Sequence, residues 1–188
     1  MKRKNWLRVF SLALCLALAL LQLPVGASAE GTGDEKRIMV SLGDSYASGE
    51  GIEPFYGDDQ PMSVKSRDND WLAHRSMHAW SGMLKIPGVD GTMADNRNTN
   101  WYFVASSGAT TEHIKRTGNR ITNKDEQTLE GQQHKEFDRD GLKGWKNLPG
   151  QLDVFYNTLG EDRYEVDYVT ISIGGNDIGF VDILTIRE

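Results

Sequence analysis

The sequence predicts an α/β domain built on a parallel sheet. Three observations carry that prediction. Short apolar runs with strand character recur along the chain, at Arg37–Leu42, Trp101–Ala105 and Val166–Ile173. Stretches with helical spacing of apolar residues lie between them. Each run ends in a small, polar, glycine-containing turn, and in parallel α/β sheets functional sites lie at the carboxyl ends of strands.

Taken in order, Arg37–Leu42 reads as a buried strand with Gly43 allowing a tight exit. Asp44–Gly57 is rich in Gly and Ser and reads as a loop. Ser76 is placed to cap a helix carrying Met77, Trp80 and Leu84 on one face, stopped by Pro87-Gly88. Trp101–Ala105 is a second short strand, closed by Ser106-Ser107-Gly108. Lys115–Gly144 is strongly polar and reads as a surface excursion. Pro149 opens a helix running to about Leu159, with Leu152, Phe155 and Leu159 on its apolar face. Val166–Ile173 is the clearest strand, β-branched and bounded by Gly174-Gly175. Trp71, Trp80, Trp101 and Trp145 are core candidates.

Residues 1–29 stand apart. Lys2, Arg3, Lys4 and Arg8 precede an apolar run from Val9 to about Leu23, followed by Ala27-Ser28-Ala29. A basic start, a short apolar stretch and a small-residue cleavage site are the layout of a secretory signal peptide. The expectation is a secreted protein with no stable membrane span after cleavage. The lone cysteine, Cys15, leaves with the leader, so the remaining 159 of the 188 residues have no disulfide and no thiol nucleophile. The net charge of −6 becomes −10 when the four leader cations are lost. Such acidity excludes a general nucleic-acid binder, which needs clustered Lys and Arg. With 38% hydrophobic and 26% charged residues the chain is neither disordered nor fibrous.

The chemistry gathers at three strand ends: Gly43-Asp44-Ser45-Tyr46-Ala47-Ser48-Gly49-Glu50-Gly51, Ser106-Ser107-Gly108-Ala109-Thr110-Thr111, and Ile173-Gly174-Gly175-Asn176-Asp177-Ile178-Gly179-Phe180. They offer a hydroxyl at Ser45, an unshielded backbone N–H at Gly108 and a side-chain amide at Asn176. A hydroxyl nucleophile with convergent neutral donors is what acyl transfer needs, because the donors stabilise the oxyanion of the tetrahedral intermediate. From the residues alone, three ordinary Gly-rich turns remain the alternative.

In these three blocks, in this order, the chain resembles the SGNH (GDSL) hydrolases, in the form found among their secreted bacterial esterases and lipases. Ala73-His74-Arg75-Ser76 followed by Ala79 is similar to a further segment of those proteins, where a cysteine often stands at the place of Ala73. The resemblance spans about Ile38–Phe180, with Lys115–Gly144 matched least. It implies a three-layer, flavodoxin-like sandwich with a central parallel sheet, and a domain whose N-terminal part is residues 30–188. It implies Ser45 as the nucleophile, with an oxyanion hole from the backbone N–H groups of Ser45 and Gly108 and the amide of Asn176. Asp44 would order the turn. The substrate would be a lipid, acyl or acylated-sugar ester, the enzyme a monomer, and neither metal nor organic cofactor is required.

A serine hydroxyl needs a base, usually a histidine held by a carboxylate. In the family this comes from an Asp-x-x-His block near the C-terminus. Three residues before His74, His78, His113 and His134 stand Trp71, Arg75, Thr110 and Gly131, so no such block is present. Val181-Asp182-Ile183-Leu184 reads as a helix opening just before the last residue, Glu188. The expectation is a C-terminally truncated hydrolase. Its alternative is a non-catalytic secreted binding protein that keeps the carbonyl pocket. A surface adhesion module is a third reading, with only Trp145 and the polar excursion behind it. His113, five residues after Gly108, is the nearest local substitute base, though a surface histidine opening a helix describes it better. Asp58-Asp59 and Asp68-Asn69-Asp70 lack calcium-loop spacing and read as solvated loops.

Overall fold

A computed structural model describes residues 36–59, 65–139, 141–160 and 165–180. The leader, Cys15 and the helix opening expected at Val181–Leu184 lie outside the described residues.

The central element is β1 (Ile38–Gly43), in which all six residues are buried. It is flanked by β2 (Trp101–Phe103) and β7 (Val166–Ser172), and both pairings are parallel. A strand covered on both faces must be apolar throughout, and Ile-Met-Val-Ser-Leu-Gly meets that demand. The exception, Ser41, sits 1% exposed with its hydroxyl accepting from Trp101 Nε1 and Thr170 Oγ1, both at 2.7 Å. The polar atom is therefore satisfied inside the sheet.

The alternation of β1 divides the core in two. Met39 joins Trp101, Phe103, Ala47, Ala79 and Met93 on one face. Ile38, Val40 and Leu42 join Tyr102, Val104, Phe155 and Leu159 on the other. Phe155 and Leu159 come from helix α3 (Gln151–Leu159), whose apolar face forms as its spacing predicts, with Leu152 partly buried beside them. Burying each such large side chain contributes roughly 1.5–3 kcal/mol. The other helices are a single turn, α1 (Ser45–Ser48), and α2 (Lys65–Leu72).

Two expectations are corrected. The helix expected after Ser76 is only a 3-10 turn over Trp80–Met83. Its buried residues are the small Ser81 and Gly82, because Gly82 packs flat on Trp101, where an added Cβ would lie 2.8 Å from the indole. Trp80 and Leu84 consequently face outward, 38% and 37% exposed. Trp101 is the fully buried tryptophan of the core, whereas Trp145 is exposed.

The second correction concerns Lys115–Gly144. This polar stretch pairs as two antiparallel ladders, β3 (Ile121–Asn123) with β4 (Thr128–Leu129), and β5 (Gln133–Arg139) with β6 (Leu142–Leu148). Phe137 lies opposite Gly144 and packs toward Leu72, Ala73 and Leu148, which ties the long hairpin to the body. Among the described residues no helix is long and apolar enough to cross a membrane.

Candidate active site

The three motif turns leave the same edge of the sheet, at the carboxyl ends of β1, β2 and β7. The first is set by Gly43. Its φ of +136° is outside the range of ordinary side chains, and a Cβ there would lie 2.0 Å from the carbonyl oxygen of Ser172. The close approach lets Asp44 N–H donate to Ser172 O at 2.9 Å. Asp44 then caps α1, its carboxylate accepting from Tyr46 N–H at 3.1 Å. This agrees with the turn-ordering role expected of Asp44, and it presents Ser45 as the first residue of the helical turn.

The second turn is tied to the first by Ser106 N–H, which donates to Gly43 O at 3.0 Å. Ser106 O accepts from Ala109 N–H at 3.0 Å, closing a β-turn with Gly108 at its third position and φ +75°. A positive φ there is the type II geometry, which glycine adopts without strain. Gly108 is exposed.

The third turn is locked to the second by its own side chains. Asn176 Nδ2 donates to Ala109 O at 2.8 Å, leaving its second amide hydrogen for another acceptor. The Asp177 carboxylate accepts from Thr111 N–H and from the Thr111 hydroxyl, the latter at 2.6 Å. The Thr111 hydroxyl and backbone bonds hold the Asp177 carboxyl below its ordinary range.

A cleft of about 550 Å³ opens between the first and third turns. Asp44, Ser45, Tyr46 and Glu50 line one side, and Ser172, Ile173, Gly175, Asn176 and Phe180 the other. Ser45 and Asn176 thus share one cavity, and Gly108 is one residue from the carbonyl that Asn176 holds. Tyr46 and Phe180 are 73% and 50% exposed and give the cleft an apolar rim.

No histidine is among the residues lining this cleft. His74 stands behind it, with Nδ1 2.8 Å from a carboxylate oxygen of Glu50 and its ring stacked on Phe55 at 4.8 Å. His113 Nδ1 accepts from Thr110 N–H at 2.9 Å, which assigns its proton to Nε2. Burial pushes the His113 imidazole below its ordinary value, so it stays neutral near pH 7. It lines a different, interior cavity of about 40 Å³, shared with Ser106, Gln133 and Gln151. His134 is bound to Asn147 Oδ1 at 3.0 Å in the hairpin, and His78 is exposed. Among the described residues no group of three or more His, Cys, Asp or Glu is arranged to hold a metal ion. Asp70 instead accepts from Arg75 and Arg97, at 2.7 and 2.8 Å.

Sequence reasoning missed the residues that brace the turns. Gln151 is buried, its Oε1 accepting from Gly43 N–H at 2.9 Å and its Nε2 donating to Gly43 O at 2.7 Å. The signal was available, because Gln151 begins the i, i+4, i+8 face that continues with Phe155 and Leu159. Arg75 is buried as well. Its guanidinium donates to Ala105 O at 2.8 Å and Val104 O at 3.0 Å, fixing the chain as it enters the second turn. Ser76 N–H donates to Ser48 O at 2.8 Å, and the Ser76 hydroxyl donates to Ile52 O, so the Ala73–Ser76 segment buttresses the first turn. Comparison with protein-family models, with curated proteins and with solved structures finds no match.

Proposed function

We propose that this chain is the N-terminal part of a secreted SGNH (GDSL) hydrolase that cleaves carboxylic esters through an acyl-enzyme on Ser45. On this reading the three-stranded parallel sheet belongs to a three-layer, flavodoxin-like sandwich. The observation that carries the reading is the shared cleft of Ser45 and Asn176, with the Asn176 amide anchored beside Gly108. Ser45 Oγ attacks the acyl carbonyl while a histidine takes its proton. The carbonyl oxygen becomes an oxyanion held by Ser45 N–H, Gly108 N–H and the free Asn176 amide hydrogen. Collapse expels the alcohol, which receives the proton, and water then releases the acid by the same route. Removing one such donor elsewhere has cost about 10²–10³ in turnover. The apolar rim of Tyr46 and Phe180 and the Glu50 carboxylate in the cleft favour an uncharged, apolar acyl group over an anionic one.

The reaction requires a histidine on the Ser45 hydroxyl, and none lines the cleft. That observation favours a second reading, a secreted binding protein that retains the carbonyl pocket without catalysis. A serine-directed fluorophosphonate separates the two. The hydrolase reading expects Ser45 of the full-length protein to be labelled, Ser45→Ala to be inert, and coding DNA past codon 188 to supply an Asp-x-x-His block. Equal labelling of wild type and Ser45→Ala rejects the nucleophile assignment. Absence of labelling, together with a stop codon at 189, supports the binding protein.

A further inference from the structure

We infer that Gln133 and Lys135, from the hairpin strand β5, are positioning residues that orient the Gly108 N–H for oxyanion binding. The inference rests on the hydrolase reading above and deepens it. The Ser107 carbonyl oxygen accepts two hydrogen bonds from β5, one from Gln133 Nε2 at 2.8 Å and one from Lys135 Nζ at 3.0 Å. This carbonyl and the Gly108 N–H belong to one peptide unit. In a planar trans peptide the C=O and N–H point in opposite directions, so whatever fixes the oxygen fixes the hydrogen.

The peptide in question is the one that a β-turn can flip. Types I and II share their end residues and differ by rotation of the central peptide, here Ser107–Gly108. The positive φ of Gly108 is the type II state, and Ser107 is not among the residues with positive φ. The two donors on Ser107 O hold that state against the flip. Gln133 is itself held, because its Oε1 accepts from the Ser106 hydroxyl at 2.6 Å in a buried contact. Its amide lies directly beneath the turn, where a Cβ on residue 108 would meet Nε2 at 3.4 Å.

Lys135 adds charge to orientation. A cation on a carbonyl oxygen polarises the whole peptide unit and makes its N–H a stronger donor. Gln133 and Lys135 are two apart on β5, so they share one face of the strand and reach the same atom. On this same face Phe137 packs toward the body, while Gln133 and Lys135 reach the second turn. The hairpin acts on the cleft through the second turn and without lining the cleft.

The test measures fluorophosphonate labelling of Ser45 in the full-length protein, with the saturation constant KI separated from the maximal rate kinact. The probe's phosphoryl oxygen acquires negative charge as Ser45 attacks, so kinact reports the oxyanion donors. Lys135→Met is expected to lower kinact about tenfold with KI unchanged, since a charge-assisted hydrogen bond biases a two-state turn by about that factor. Gln133→Leu with Lys135→Met is expected to approach the ~10²-fold loss of an absent donor. Lys135→Arg, which keeps the donor, is expected to restore kinact to within about threefold. If the buried Gln133→Leu fails to fold, the Lys135 pair alone decides. Wild-type kinact in Lys135→Met, or a loss that Lys135→Arg does not rescue, overturns the inference and leaves the nucleophile intact. Wild type and Ser45→Ala labelling alike overturns the hydrolase reading, and the inference with it.

Discussion

Asp70 offers the sharpest test of the frame that holds the second turn. Its carboxylate joins two guanidiniums, Arg75 at 2.7 Å and Arg97 at 2.8 Å, and their side chains are only 7% and 17% exposed. Asp70→Asn keeps the shape and removes the charge. The buried Arg75 and the half-buried Arg97 then lose the carboxylate they share. Breaking a buried pair by deleting one partner costs about 3–5 kcal/mol. The retained amide oxygen still accepts, which places the expected loss near the lower end, at about 3 kcal/mol. For a domain of this size that lowers Tm by roughly 6–12 °C. The pH dependence follows from the same contacts. Burial pushes the Asp70 carboxyl upward, but the charges and hydrogen bonds of Arg75 and Arg97 outweigh it, so the group titrates below its ordinary value. A depressed carboxylate stabilises the fold fully above its unfolded pKa of about 3.9, and that stabilisation is lost as pH falls through the lower folded value. Thermal melts of wild type and Asp70→Asn from pH 7 to pH 3 therefore show a constant gap down to about pH 5 that narrows below about pH 4. A gap under about 2 °C at neutral pH, or one that widens in acid, refutes the assignment of Asp70 as the counter-ion of Arg75.

Two further substitutions probe the first turn. Gly43→Ala places a methyl 2.0 Å from Ser172 O at a φ of +136°, so β1 and β7 cannot keep their spacing. A loss above about 4 kcal/mol is expected, read as collapse of soluble yield or of the urea midpoint, and near-native stability contradicts the close approach. Gln151→Leu strands the N–H of Gly43 in the interior, while its C=O keeps the Ser106 N–H, with an expected loss of about 1–3 kcal/mol at unchanged m-value in urea unfolding. A loss below about 1 kcal/mol means that other groups satisfy Gly43.

The residues that make the sheet and α3 were legible because their pattern and their environment agree. Ile38–Leu42 is apolar at every position that is buried, apart from a serine with two partners. Phe155 and Leu159 stand where helical spacing puts a core face. The three strand-end turns were legible as well, since glycine and small polar residues mark the places where the backbone leaves the sheet. What was not legible depends on distant partners. Gln133 and Arg75 look like surface residues by type, and each is buried because it satisfies backbone carbonyls at the second turn or the strand that enters it. The β5–β6 ladder is hidden for a related reason. Its strands carry Lys, Glu, Asp and Arg, and their order comes from cross-strand pairing and from Phe137 reaching the body, neither of which a period count detects. Trp80 shows the converse failure. Helical spacing put it inside, but the tight contact of Gly82 with Trp101 turned the small residues inward and the large ones out.

The Gly43 peptide has a consequence for biosynthesis. Its donors and acceptors arrive from residue 106, residue 151 and, across the neighbouring Asp44, residue 172. A chain halted on the ribosome before Gln151 carries the serine hydroxyl but lacks the Gln151 and Ser172 bonds to the bend that presents it. Closing loops of this length costs entropy that only the docked helix and third strand offset. On the proposed hydrolase reading, Ser45 is presented for attack only after residues 151 and 172 have joined the fold.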